Sequence, residues 1–217
     1  MEFKGVIFDF NGTLFYDTPF HNIAWSRMVQ ELTGHEIDQD LKVKMHGKNN
    51  RDILKCIDMH LSEEMLEMYS LKKEAYYRSI CLEHPEDLHF VKGATQWFDS
   101  LKNKGVPFII ASASIKENID FFFEIFQLDQ WFDRNQIVYD NGQYANKSEM
   151  FLEASHRLNV DLKDCIVVED SVTGISQAKK AKAGYIIGIA PQSKHQELLD
   201  LGADVCRENF EDINDLF

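Results

Sequence analysis

Three features are scarce in this 217-residue chain, and each scarcity excludes a class of protein. The four cysteines are scattered without a C-x-x-C pair, which predicts reduced thiols in a cytoplasmic protein. Lys and Arg number only 23 against 36 Asp and Glu, so the net charge of -13 argues against nucleic acid and anionic membranes as partners. No apolar run is long enough to span a bilayer, and Asp9 and Asn11 interrupt the first one, where a signal peptide would continue. The chain is therefore expected to be an ordinary globular protein of the cytoplasm.

What the chain does contain is an alternation of short apolar runs and helical patterns. From Val91 onward the two alternate, which is typical of βαβ units and a parallel sheet. Residues 17–90 show helical patterns only. We therefore predict an α/β fold, with a Rossmann-like parallel-sheet core of residues 1–16 and 91–217 and an inserted α-helical cap domain of residues 17–90. Ser114-x-x-Glu117 matches a capping box and predicts a helix that begins after Ser114.

Two of the apolar runs end abruptly in carboxylates. Val6-Ile7-Phe8 leads into Asp9, and Ile166-Val167-Val168 leads into Glu169 and Asp170. A buried, unpaired carboxylate is costly, but the carboxyl ends of parallel strands open into the crevice where α/β proteins bind ligands. The pattern predicts one site for a hard cation, although Asp9 alone is also compatible with a turn or a helix cap.

Three further features fit phosphoryl transfer. Gly12 permits a sharp turn after the first strand, so Asp9 is placed to act as a nucleophile, as a metal ligand, or as both. Ser112 follows a second buried strand, and Lys147 stands just before a helix. Phosphoryl transfer needs an in-line nucleophile and cations, and Mg²⁺ prefers oxygen ligands. The alternatives are that Ser112 is a turn residue and that Lys147 is a solvated lysine at a helix start.

These elements, in this order, resemble the haloacid dehalogenase superfamily over essentially the whole chain. The resemblance implies that Asp9 is the phosphorylated nucleophile and that Ser112 and Lys147 hold the phosphate. It also implies a Mg²⁺ site formed by Asp9, the main-chain carbonyl of Asn11, Glu169 and Asp170. The helical insert is similar to the cap of that superfamily, which closes over the active site and selects the substrate.

Three segments are similar to the β-phosphoglucomutases and related sugar-phosphate phosphatases. They are His21-x-x-Ala24-Trp25, the stretch from Gly47 to Arg51, and Ser112 to Asn118. By this resemblance, eight residues would line the substrate side of the cleft: His21, Gly47, Lys48, Asn49, Arg51, Ala113, Lys116 and Asn118. Asn50 stands where the cap arginine of the mutases is expected.

Asn11 is the departure that matters most for activity. Related enzymes carry Asp at this position as general acid and base, and an amide cannot give or take a proton in that role. Such assistance is typically worth a factor of about 10²–10⁴ in rate, or about 3–5 kcal/mol. Asn11 is thus compatible with a slow phosphatase, with a preference for good leaving groups, with another proton donor, or with a phosphate-binding relic. His21 is the nearest candidate donor, but it is equally compatible with a histidine of the cap core.

The leading prediction is a Mg²⁺-dependent phosphatase that acts on a small phosphorylated metabolite through an aspartyl-phosphate at Asp9. A sugar-phosphate mutase is the first alternative, and a catalytically silent protein that binds a phosphometabolite is the second. We expect a monomer or a weak homodimer.

Overall fold

The computed structural model describes residues 3–45, 48–211 and 213. The chain divides into two compact units, one of Met1–Tyr16 with Leu88–Phe217 and one of Asp17–Asp87. We call them the sheet unit and the helical unit.

Among its described residues, the sheet unit contains six strands in the order β3-β2-β1-β4-β5-β6, and all neighbouring strands are parallel. The strands are β1 (Gly5–Phe8), β2 (Phe108–Ile115), β3 (Val138–Asp140), β4 (Cys165–Glu169), β5 (Tyr185–Ile189) and β6 (Val205–Arg207). The order reverses between β1 and β4, which makes this the switch point where doubly wound sheets bind ligands. The predicted fold class, a Rossmann-like parallel sheet with an inserted helical domain, is confirmed.

Helices make up the rest of the regular structure. The helical unit contains α1 (Thr18–Thr33), α2 (Gln39–Met45), α3 (Asn50–Ile57) and α4 (Glu63–Glu83). The sheet unit contains α5 (Ala94–Lys104), α6 (Lys116–Phe126), α7 (Lys147–Leu158), α8 (Val172–Lys180) and α9 (His195–Leu201). Within the described residues, no helix combines the length and the apolar character needed to cross a bilayer.

The central strands are buried on both faces, which explains their unbroken apolar runs. Ile7 and Val167 belong to one apolar cluster with Phe151 of α7. On β1, Phe8 makes an edge contact with Trp97 of α5, with ring centroids 5.1 Å apart. Complete burial of one such side chain contributes about 1.5–3 kcal/mol to stability. The rigid centre of the sheet therefore fixes the residues that follow β1 and β4.

The capping box predicted at Ser114 is wrong. β2 continues to Ile115, and α6 begins at Lys116 with no side-chain hydrogen bond at its N-cap. The reason is a tertiary contact, because the Ser114 hydroxyl donates to Asn11 Oδ1 at 2.6 Å instead of capping the helix.

Candidate active site

Asp9 leaves the sheet at the end of β1 and is only 3% exposed. Its backbone N–H donates to the carbonyl of Val168 at 2.9 Å, which extends the pairing of β1 with β4 by one residue. The chain then turns at Gly12, whose φ is 80°. A Cβ atom on Gly12 would lie 2.2 Å from Asp170 Oδ2, so a side chain is excluded by sterics as well as by the backbone conformation.

Glu169 ends β4 and is completely buried. Its Oε2 accepts hydrogen bonds from the N–H of Asp170 at 2.9 Å and from the N–H and the hydroxyl of Ser171 at 2.8 and 2.9 Å. The Ser171 hydroxyl in turn accepts from the N–H of Gly174 at 3.0 Å and caps α8. A Cβ atom on Gly174 would lie 2.0 Å from the Glu169 carboxylate, so α8 needs a glycine there.

Lys147 brings a positive charge to these carboxylates. It is the first residue of α7, and its Nζ lies 2.7 Å from Asp9 Oδ1 and also contacts Glu169 Oε1. Burial lowers the pKa of Lys147, but the attraction of the two carboxylates outweighs burial and raises that pKa above its usual value. Lys147 is thus held in its charged form between two strand ends, and it is not a solvated lysine.

The carboxylates of Asp9, Glu169 and Asp170 offer ligand atoms that lie within 4.8 Å of one another. Burial, and then the nearby Glu169, raise the pKa of Asp9 to about 7, although Lys147 opposes this. Burial, Glu169 and Asp9 raise the pKa of Asp170 well above its ordinary value. One ammonium group does not balance three carboxylates, so a divalent cation would stabilise this cluster.

Thr13 belongs to the same cluster and escaped the sequence analysis. Its side chain is fully buried, and its Oγ1 lies 3.2 Å from Asp170 Oδ1 and 3.4 Å from Asp9 Oδ2. A hydroxyl carries one proton, so Thr13 donates to one of the two carboxylates at a time. The only signal in the sequence is its place directly after Gly12.

Asn11 is tied to the end of β2. Its Oδ1 accepts hydrogen bonds from the hydroxyls of Ser114 at 2.6 Å and Ser112 at 3.3 Å. Ser112 is 1% exposed and also accepts from the N–H of Ser114 at 3.2 Å. The structure thus brings Asn11 and Ser112 together, as the predicted site requires, and it adds Ser114.

The other predicted residues of this segment lie in the last part of β2 and in α6. Ala113 is exposed on β2, and Asn118 is buried in α6. Lys116 forms an ion pair with Asp120, one turn further along α6, with 61% of its own side chain exposed. The structure therefore places Lys116 in a surface pair of α6.

Comparisons with known proteins identify the family of the chain. A model of the haloacid dehalogenase-like hydrolases matches residues 3–182. The chain belongs to this family. The solved structure of a family IA, variant 3 hydrolase of Entamoeba histolytica is similar to that of this chain, with a TM-score of 0.90. The two sequences are 33% identical, and the match covers 96% of this chain and 94% of that one. The predicted superfamily is confirmed, and so is the prediction of an enzyme.

Two named relatives of this hydrolase act on sugar phosphates or phosphorylated carbohydrates. The β-phosphoglucomutase of Bacillus subtilis is 26% identical over 188 residues, which cover 82% of this chain and 80% of the relative. A phosphorylated carbohydrates phosphatase of Thermotoga maritima is 25% identical over 209 residues, which cover 92% of each chain.

His21 of the hydrolase has partners for both ring nitrogens inside the helical unit. Its Nδ1 lies 2.6 Å from Lys73 Nζ, its Nε2 lies 3.2 Å from Asp17 Oδ2, and its ring stacks on Tyr77 at 4.1 Å. An ammonium group can only donate, so Nδ1 accepts from Lys73 and Nε2–H donates to Asp17. This geometry favours the cap-core interpretation of His21 over its use as a proton donor.

The other predicted residues of the helical unit that the structure describes also have local partners. The Asn49 side chain caps α3 by accepting from the N–H of Asp52 at 2.9 Å, and Arg51 forms an ion pair with Glu63. Lys48 Nζ lies 3.2 Å from Cys56 Sγ. Gly47 lies outside the described residues.

Proposed function

We propose that this hydrolase is a Mg²⁺-dependent phosphatase that removes the phosphoryl group from a small phosphorylated metabolite by first transferring it to Asp9. The proposal depends mainly on one observation, which is that a buried carboxylate at the switch point touches a lysine and lies beside two further carboxylates. The names of the two relatives favour a sugar phosphate as the substrate.

The donor set fits Mg²⁺. It consists of carboxylate oxygens, and two glycines leave room for Asp170 and Glu169 where a Cβ atom would collide. Glu169 is already engaged by Lys147 and by three donors at the start of α8, so Asp9 and Asp170 are the better direct ligands. The family resemblance adds the main-chain carbonyl of Asn11. Bound Mg²⁺ would offset negative charge on the oxygens of the phosphoryl group.

The side chains of the protein supply the rest of the chemistry. A carboxylate oxygen of Asp9 attacks phosphorus, the bond to the leaving oxygen breaks, and that oxygen keeps the electron pair. Lys147 holds one oxygen of the transferred group, and the Ser112 hydroxyl turns from Asn11 to donate to another. The leaving alkoxide takes up a proton from solvent. Water then attacks phosphorus and loses a proton to solvent, and the phosphorus–oxygen bond to Asp9 breaks, which releases inorganic phosphate and regenerates the carboxylate.

Asn11 favours hydrolysis over mutase activity. Water and a sugar hydroxyl are both weak nucleophiles without a base, but a mutase must also return the phosphoryl group to one sugar hydroxyl faster than water hydrolyses the aspartyl-phosphate. The likeness to the β-phosphoglucomutase keeps a mutase as the second candidate. A silent binding protein is the third candidate, because the same groups would bind a phosphometabolite without turning it over.

One experiment separates the three candidates. Purified protein is incubated with an aryl phosphate and with a panel of sugar phosphates, with Mg²⁺ or with a chelator, and both free phosphate and isomerised sugar phosphate are measured. We expect phosphate release that requires Mg²⁺ and is abolished in Asp9→Asn. Asp129→Asn, a change at an exposed aspartate of the same unit, is the matched control and should keep wild-type activity.

Each other outcome overturns the proposal in a different way. Isomerisation without phosphate release would favour the mutase. Binding of a sugar phosphate with no turnover would favour the silent protein. Phosphate release that survives Asp9→Asn would exclude Asp9 as the nucleophile.

A further inference from the structure

Lys147 can reach two carboxylates only if the first turn of α7 is held in place. Its Nζ meets Asp9, which follows β1, and Glu169, which ends β4. A lysine side chain is long and flexible, so its stem must start from a fixed point for both contacts to persist. That fixed point is the backbone at the helix start.

A reciprocal cap encloses this point. Asn146 Oδ1 accepts hydrogen bonds from the N–H groups of Ser148 at 2.9 Å and Glu149 at 3.4 Å. Glu149 Oε2 reaches back and accepts from the N–H of Ala145 at 2.8 Å. The cap thus engages N–H groups on both sides of Lys147 that would otherwise have no partner in the helix.

The same turn is tied to α8. The Ser148 hydroxyl lies 2.9 Å from the carbonyl oxygen of Gln177 and 2.6 Å from its Oε1. α8 begins just after Glu169 and Asp170. The residue that follows Lys147 is therefore connected to the helix that starts beside the carboxylates.

We propose that Asn146 and Glu149 are positioning residues, whose reciprocal cap aims Lys147 at Asp9 and Glu169. The inference depends on the proposed function, in which Lys147 holds the transferred phosphoryl group. An ordinary cap affects only the stability of its helix. This cap also sets the position of the Lys147 ammonium group in the candidate active site. Displacement of such a group by about 1 Å can reduce a rate by a factor of about 10².

Steady-state kinetics with an aryl phosphate and Mg²⁺ test the proposal. We expect kcat/KM to fall by a factor of about 10–100 in Asn146→Ala and in Glu149→Ala. Asn146→Ser keeps a strong N-cap and should stay within a factor of about 3 of the wild type. Ser62→Ala is the matched control, because it removes the side-chain cap of α4 in the helical unit, and its kcat/KM should be unchanged.

A second measurement does not depend on turnover. The ammonium group of Lys147 should give a slowly exchanging signal in ¹H–¹⁵N spectra of the metal-free protein, and Lys147→Met assigns it. We expect Asn146→Ala to broaden this signal beyond detection, while the backbone amide signals remain those of a folded protein.

The two measurements allow failure of the positioning role to be distinguished from failure of the proposed function. If the wild type turns over no substrate, the proposed function fails and the ammonium signal alone decides. A signal that is unchanged in Asn146→Ala, wild-type kcat/KM in that variant, or the absence of a Lys147 signal in the wild type would each overturn the positioning role.

Discussion

Replacing Asn11 by Asp tests the role of this residue directly. The substitution is nearly isosteric, and one oxygen of the new carboxylate would keep the hydrogen bonds from Ser114 at 2.6 Å and Ser112 at 3.3 Å. The other oxygen would replace the amide nitrogen. The variant therefore adds a proton-transfer group to the site while the packing around it stays the same, and phosphatase turnover should rise.

The size of the gain depends on the serines that donate to residue 11, above all on Ser114, because the Ser112 hydroxyl turns to the phosphoryl group during turnover. General acid–base assistance is worth a factor of about 10²–10⁴. Each hydroxyl that donates to a charged oxygen favours the ionised form, by roughly 1.5–3 kcal/mol per hydrogen bond. The ionised carboxylate can act as a base towards the water that attacks the aspartyl-phosphate, but it is a poor acid towards a leaving alkoxide.

The expected gain thus depends on the substrate. For an aryl phosphate, whose leaving oxygen needs no proton, kcat should rise towards the upper end of that range, by a factor of about 10³–10⁴. For an alkyl phosphate, the gain should be about 10² or less. Adding Ser114→Ala to Asn11→Asp should reduce the difference between the gains for aryl and alkyl phosphates. The change removes the shorter hydrogen bond to residue 11, which favours the ionised form of the new carboxylate.

Steady-state phosphate release by the wild type, Asn11→Asp, Ser114→Ala and the double variant measures these quantities. Mass spectrometry of intact wild-type protein serves as the control that residue 11 is still asparagine. An increase in kcat of less than about 3-fold for both substrates would refute the reasoning, because general acid–base assistance should raise kcat far more than that. Equal gains for aryl and alkyl phosphates would refute the role given to the serines.

Two further predictions concern stability. Gly174→Ala should destabilise the fold by about 1–3 kcal/mol, because its Cβ would lie 2.0 Å from the Glu169 carboxylate; a urea midpoint equal to that of Thr173→Ala, an exposed neighbour on α8, would contradict this. Burial raises the pKa of Glu74, but the charge of Lys73 and the other neighbours lower it to about 2. The ionised form of Glu74 therefore stabilises the helical unit above pH 4.5, and that contribution is lost as the pH falls towards 2. Wild-type protein should lose about 3 kcal/mol of stability in this range. Glu74→Gln should lack that loss, and parallel acid-unfolding curves would contradict the prediction.

The fold could be predicted because its signals are local. Unbroken apolar runs at β1 and β4 predict strands buried on both faces, and helical patterns between later runs predict parallel crossovers. The capping box at Ser114 failed for the opposite reason. Its serine has a partner 103 residues away, and no local pattern announces a hydrogen bond to Asn11.

In the candidate site, too, features that follow from local patterns could be predicted, whereas contacts between distant residues could not. Asp9 and Glu169 follow paired residues of β1 and β4, so a parallel sheet is enough to bring them together. Lys147 could be proposed as a cation that stands before a helix, but its contacts with Asp9 and Glu169 depend on how α7 packs, which the sequence does not show. One partner of His21 is Lys73, 52 residues later, and the pattern of α4 does not reveal this contact.

The buried charges at this edge of the sheet do not contribute to stability, and the proposed function accounts for them. The raised pKa values of Asp9 and Asp170 mean that ionising these groups in the fold costs more than in water. The chain also places Gly174 inside α8, where glycine is less stable than alanine by roughly 0.5–1 kcal/mol. A sequence selected for stability alone would replace these carboxylates with apolar side chains, and the glycine could then be an alanine. Their presence together fits the proposed function, because a divalent cation would bring the positive charge that the three carboxylates leave unbalanced, and the bound cation would then attract an anionic substrate.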